Sequence, residues 1–186
     1  MRLSKPIAIR GVSQTLARGN CPVCAFLRNS QSALLQGDLR PEDVRGICNF
    51  HAWALAAAVN VTNAAKVFQN LLRIDSDSSG SCSYCEHLRD AEQAQLEELV
   101  GQMDRHLVLD WIKHHGVLCR PHAKRLRQIA PVRLHGTVEE VDRRTASELD
   151  SDLQDLLSRS AKGEKSGAGV LGRVAEFLMS QRGIRE

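Results

Sequence analysis

Gly19-Asn20-Cys21-Pro22-Val23-Cys24-Ala25-Phe26-Leu27-Arg28 returns later in the chain as Gly80-Ser81-Cys82-Ser83-Tyr84-Cys85-Glu86-His87-Leu88-Arg89. A second segment recurs in the same order. Gly46-Ile47-Cys48 with His51-Ala52 aligns with Gly116-Val117-Leu118-Cys119 and His122-Ala123. The two copies absorb all six cysteines of the 186 residues. Each copy supplies three thiols and one imidazole, the ligand set of a closed tetrahedral zinc site. Taken copy by copy, the expected sets are Cys21, Cys24, Cys48 and His51, then Cys82, Cys85, Cys119 and His122, with two Zn2+ per chain.

The spacing suits that chemistry. Two cysteines separated by two residues can wrap one ion from a tight turn, each thiolate reaching it at about 2.3 Å. Cys48 with His51, and Cys119 with His122, sit three apart at expected helix starts, so each pair projects from one face. Pro121 is tolerated because it falls in a first turn. Helix N-termini also lower the cysteine pKa through the dipole. A helical half of about 60 residues has a small core, and a structural zinc contributes on the order of 10 kcal/mol to its folding.

Other uses of these cysteines are less consistent with the pattern. A redox dithiol usually accompanies a βαβ pattern, and none is legible here. Haem attachment needs histidine directly after the second cysteine, where Glu86 stands. An iron–sulfur cluster can use three cysteines and a histidine, and spacing alone leaves that alternative open.

Composition points to helices. Hydrophobic residues make up 42% and charged residues 25%, while aromatics are only 4%. The core must therefore rest on Leu, Val, Ile and Ala, which suits helices better than a β-sandwich. The formal charge is +3. Each site of three thiolates, a neutral histidine and a zinc ion carries −1, bringing the chain to about +1. That balance makes no case for a nucleic-acid or membrane partner. The start, MRLSKPIAIRG, has no apolar core of a signal peptide, and the longest apolar run, Trp53 to Val59, is far too short to span a bilayer. A reducing cytoplasmic setting is expected, where a regular cysteine pattern more often binds metal than forms disulfides.

The expected architecture is all-α. Helices are predicted over Ile7–Arg18, Val23–Gln36, Asn49–Val59, Thr62–Arg73, Tyr84–Gln102, Arg105–His115 and from Pro121 to before Pro131. Gly37-Asp38 should break the second helix, Asp104 should cap the sixth at its start and Gly116 at its end. Thr137–Ser160 reads as one long amphipathic helix with Val138, Val141, Ala146, Leu149, Leu153, Leu156 and Leu157 on its apolar stripe. A closing helix, Val170–Gln181, offers Val174, Phe177 and Leu178. Ser76–Ser81 is the clearest linker, and 162–169 is glycine-rich. The expected organisation is one compact domain. It comprises a first half at 1–75, a second at 82–135 and C-terminal helices at 136–186.

Two weaker constellations remain. His106, Asp110 and His114 recur on one helix face and can be read as an open, catalytic metal site or as a solvated polar stripe. Lys113, Arg120, Lys124, Arg125, Arg127 and Arg133 form a basic stretch, and its 120–133 portion is a candidate nucleic-acid surface. The acidic residues Glu139, Glu140, Asp142, Glu148, Asp150, Asp152 and Asp155 follow directly, so intramolecular pairing competes with it. No phosphate loop, nucleophile elbow or metalloprotease motif is present, which leaves catalysis without residue-level support.

With its duplicated Cys-Pro-x-Cys and Cys-x-x-His pattern at Cys21, Pro22, Cys24, Cys48, His51, Cys82, Cys85, Cys119 and His122, the chain resembles an uncharacterised prokaryotic family of helical proteins. Gly172-Arg173-Val174-Ala175-Glu176-Phe177-Leu178 is similar to that family's closing helix. Ser83, where the family tends to repeat the proline, and the short segment between Cys24 and Cys48 depart from it. The resemblance implies an all-α fold and no particular activity. The expected function is a non-catalytic structural zinc protein that meets another protein.

Overall fold

Aliphatic, aromatic-poor segments with 3.6-residue periodicity have one economical solution, and among the described residues the regular structure is helical with no strand. The computed structural model describes residues 21–73, 81–103, 105–162 and 167–180; for residues 106, 107, 111, 115 and 168 it describes backbone alone. The expected helix Ile7–Arg18, the linker from Ser76 to Gly80 and the cap at Asp104 lie outside them. Eight α-helices are described: α1 Pro22–Ala33, α2 Asn49–Ala56, α3 Val61–Arg73, α4 Ser83–Met103, α5 His106–His115, α6 Arg120–Ile129, α7 Val132–Ala161 and α8 Ala168–Met179.

The chain forms two compact units. Of the described residues, a flanking unit takes 21–25 and 95–180, and an inserted unit takes 26–94. The expected segments 1–75, 82–135 and 136–186 do not coincide with these units. Each sequence copy contributes to both.

In the inserted unit, α1 runs into a wide turn at Leu34–Asp38, where Gly37 adopts φ 123°. A side chain is strained in that left-handed region, so glycine ends the helix there. Pro41 then opens a short 3-10 turn, Pro41–Asp43. Asn70 of α3 donates from Nδ2 to the carbonyls of Pro41 and Val44, fixing that turn. Leu39, Val44, Leu55, Ala64, Val67 and Tyr84 make the core, flanked by Leu34, Leu35, Ile47, Phe68 and Leu71.

In the flanking unit, α7 packs against α5, α6 and α8, and α6 also packs on α8. At 30 residues α7 is about 45 Å long. It begins before the expected Thr137, directly after Pro131, whose ring cannot continue α6. Its buried stripe is Leu134, Val138, Val141, Thr145 and Leu149. Leu157, expected on that stripe, is exposed, because the stripe drifts round the helix away from α5 and α6. In α8 Phe177 is buried, while Leu178 faces outward. Fully buried Leu126 on α6 contributes about 1.5–3 kcal/mol through burial alone.

Gly116 ends α5, its N–H donating to the Ile112 carbonyl. A Cβ there would lie 2.7 Å from the Ile112 oxygen, so only glycine fits the approach. Arg144 of α7 donates to the carbonyls of Lys113 and Gly116. These bonds satisfy the open end of α5 and set the path of the three residues that lead to Cys119.

Candidate metal centres

Four short segments carry the eight candidate ligands, and all four have the same local form. Cys48 is the N-cap of α2 and Cys119 the N-cap of α6; their carbonyls accept from Ala52 and Ala123 N–H at 2.9 Å. Cys21 and Cys82 stand in the same place before α1 and α4, accepting from Ala25 and Glu86 N–H at 3.0 Å. The second residue of each pair (Cys24, His51, Cys85 or His122) lies in the first helical turn. Each pair is thus a cap and the residue three further on, and the sequence reading of the CxxC pairs as tight turns is refined to helix starts. The dipole of each helix favours thiolate at its N-terminus.

The eight side chains gather into two tetrads, but not as the repeat predicts. Cys21 and Cys24 meet Cys119 and His122; Cys48 and His51 meet Cys82 and Cys85. In each tetrad the ligand atoms all lie within 4.8 Å of one another. The expected sets Cys21, Cys24, Cys48, His51 and Cys82, Cys85, Cys119, His122 are therefore corrected to a nested arrangement. The packing of α6 with α7 and α8 keeps Cys119 and His122 in the flanking unit, while the inserted unit closes on its own pairs.

In the flanking tetrad, His122 Nδ1 lies 3.4 Å from Cys21 Sγ, 3.4 Å from Cys24 Sγ and 2.9 Å from Cys119 Sγ. Cys24 and Cys119 are 3.6 Å apart, sulfur to sulfur. All four residues are at most 6% exposed. Ser180, just past α8, places Oγ 3.5 Å from Cys24 Sγ.

In the inserted tetrad, His51 Nδ1 lies 3.3 Å from Cys48 Sγ, 3.5 Å from Cys82 Sγ and 3.4 Å from Cys85 Sγ. Cys48 and Cys85 are 3.8 Å apart and only half-buried. Aromatic rings orient His51. Tyr84 stacks on it at 5.5 Å between centroids, and Phe50 meets it edge-on at 5.1 Å. His51 Nε2 is buried without a hydrogen-bond partner. Burial holds the His51 pKa below its ordinary value, which keeps the imidazole in the neutral form that ligates metals.

Two thiols of this tetrad are shifted in opposite directions. Burial and the neighbouring Cys82 and Cys48 push Cys85 up to about 12. Burial also works against the Cys48 thiolate, but hydrogen bonds from the His51 backbone, the Cys82 and Cys85 thiols and the Phe50 backbone outweigh it and lower its pKa. Without a cation Cys48 therefore ionises ahead of Cys85.

Ser83, the departure from the repeated proline, has a structural role that the sequence did not disclose. Its Oγ accepts from Arg45 N–H at 3.1 Å and its own N–H donates to the Gly46 carbonyl at 3.1 Å. Proline at 83 would forfeit both bonds. Arg144 and Ser180 act on the ligand segments from elsewhere in the fold and Ser83 from within one, and no spacing signal marks them.

Among the weaker constellations, Asp110 and His114 are exposed and meet at 3.5 Å on α5, while the His106 side chain lies outside the described residues. The basic stretch is paired in large part: Lys113 with Glu140 at 3.4 Å, Arg120 with Asp142 at 3.9 Å and Arg127 with Glu139 at 3.2 Å. Arg120 also sits over the Phe177 ring at 5.2 Å. No described helix is long and apolar enough to cross a membrane.

No family model, curated protein or solved structure matches this chain. The functional reading accordingly stands on its own residues.

Proposed function

We propose that the chain is a non-catalytic structural zinc protein, with one Zn2+ in each Cys3His tetrad and a helical surface that binds another protein. One observation carries the metal: in both tetrads a single Nδ1 faces three sulfurs. One nitrogen can make one good hydrogen bond to a thiol, not three. Four ligands around a zinc ion stand about 3.8 Å apart between sulfurs and about 3.5 Å between sulfur and nitrogen. One sulfur–sulfur distance in each tetrad, 3.6 and 3.8 Å, matches that tetrahedron, as do five of the six sulfur–nitrogen distances, and the other sulfurs lie within 4.8 Å of one another. The sixth, Cys119 to His122 at 2.9 Å, needs to open by roughly half an ångström. Four protein ligands also fill the coordination sphere, which favours a structural over a catalytic role.

Elemental analysis of protein purified without added metal tests this directly. Two zinc ions per chain are expected. Iron with visible absorbance would replace zinc by the iron–sulfur alternative, and less than one metal ion per chain would end the reading.

A protein partner is favoured by α2. It carries no charged residue, and Phe50 and Trp53, three apart on one face, are 42% and 73% exposed. Aromatic side chains on a rigid helix are the usual anchors of protein interfaces. Substituting Trp53→Ala should leave zinc content unchanged and abolish specific capture of a partner by the tagged protein. The nucleic-acid reading of 120–133 draws less support, since Arg120 and Arg127 already face carboxylates.

A further inference from the structure

The flanking tetrad poses a problem of access. Its four ligands are buried, yet an ion must arrive there and, when exchanged, leave. A cavity of about 210 Å³ opens onto it, with Cys21, Cys24 and Cys119 on its floor. Leu149 and Phe177 form apolar walls. The mouth is charged: Glu148 and Asp152 from α7 and Glu176 from α8 stand against Arg173. Glu148 and Arg173 have side chains 62% and 53% exposed, so the cavity reaches solvent. Arg173 is bound to Asp152 at 2.5 Å, and Glu148 faces Arg144 at 3.4 Å. Thr145 also lines the cavity; it is 4% exposed, and its Oγ1 is buried with no hydrogen-bond partner. A buried polar atom of that kind is costly unless something polar visits it.

We infer that this cavity is the route by which a divalent metal ion reaches and leaves the flanking tetrad, drawn in by the combined negative charge of Glu148, Asp152 and Glu176 at its mouth. The inference rests on the zinc reading above. Carboxylates around a low-dielectric opening focus the field and raise the local concentration of a dication. They bind a hydrated ion weakly through oxygen, and the thiolates below bind zinc far more tightly, so an ion moves inward. Thr145 Oγ1 can accept from a water molecule carried by the entering ion. Arg173 opposes this traffic by its own charge.

Metal exchange in the folded, full-length protein tests the route. Cd2+ is added to the zinc-loaded protein at low ionic strength, and the cadmium–thiolate ultraviolet band is followed. Two phases are expected, one per tetrad. In Glu148→Gln/Glu176→Gln one phase should slow by roughly fivefold and the other stay unchanged. Arg173→Gln should accelerate that same phase, and added salt should shrink both effects. Zinc content and circular dichroism equal to the parent establish that the variants fold. Equal rates in all three proteins, or equal slowing of both phases, would overturn the route while leaving the zinc reading intact. Protein that carries no thiolate-bound metal at all would remove both.

Discussion

The two tetrads share one ligand set and differ in their surroundings. The flanking tetrad is buried, with every ligand at most 6% exposed, and a serine hydroxyl beside one sulfur. The inserted tetrad shows Cys48 and Cys85 to solvent and holds its histidine between aromatic rings. They also span the chain differently. Contacting ligands of the inserted tetrad from its two pairs are 31 to 37 residues apart, whereas those of the flanking tetrad are 95 to 101 apart. One therefore closes a local loop. The other staples residues 21–25 to a unit whose remaining residues begin at 95. The same Cys3His set thus occurs in two different settings, one closing a local loop and one a long one.

The largest expected effect tests the nested pairing itself. Cys21→Ser/Cys119→Ser should retain one metal ion per chain and Cys21→Ser/Cys48→Ser none. Copy-by-copy pairing predicts the reverse. Because a structural zinc contributes on the order of 10 kcal/mol, losing one under the zinc proposal should unfold its unit, seen as a lost transition in thermal denaturation. Cys119→Ser on top of Cys21→Ser should cost little more, since the site is already gone.

Burial makes the next difference. A strong chelator in excess should strip the inserted tetrad first, with release rates about tenfold apart. The fast phase should be the one missing from Cys48→Ser. A single common rate would mean that exposure of Cys48 and Cys85 has no bearing on metal loss.

A smaller effect separates the two CxxC pairs. Ser83→Pro should destabilise the inserted unit by about 1–3 kcal/mol, measured by urea denaturation, because the Arg45 N–H and the Gly46 carbonyl lose their partners. Pro22→Ser at the matching position should change stability by less than about 1 kcal/mol. The smallest change expected is at Tyr84, whose hydroxyl is buried without a partner. Tyr84→Phe should be neutral or stabilising by up to about 1 kcal/mol, and a clear loss of stability would assign the hydroxyl a function.

Much of the local structure was legible. Gly37 as a helix stop, Pro41 as a turn opener, Gly116 as a cap, and the division of α6 from α7 at Pro131 all follow from single residues with strong backbone preferences. α7 starts before the expected Thr137 because packing extends it through Val132 to Gly136, which carries no helix signature of its own. Thr145 was missed on the buried stripe because a hydroxyl reads as polar, although its position in the α7 register faces inward.

What the amino-acid order determined by itself is the four ligand pairs, since a cap residue and the residue three further on meet within one helical turn whatever the rest of the chain does. Which pair meets which was decided by the tertiary structure. Both the repeat-based and the nested arrangement yield two Cys3His sets, so ligand chemistry does not choose between them. Loop entropy barely chooses either: closing a loop roughly four times longer costs only about 1 kcal/mol more. Burial of α6 against α7 and α8, and of Leu55, Val67 and Tyr84 in the inserted unit, is worth several times that, and it carries the ligand pairs to their partners.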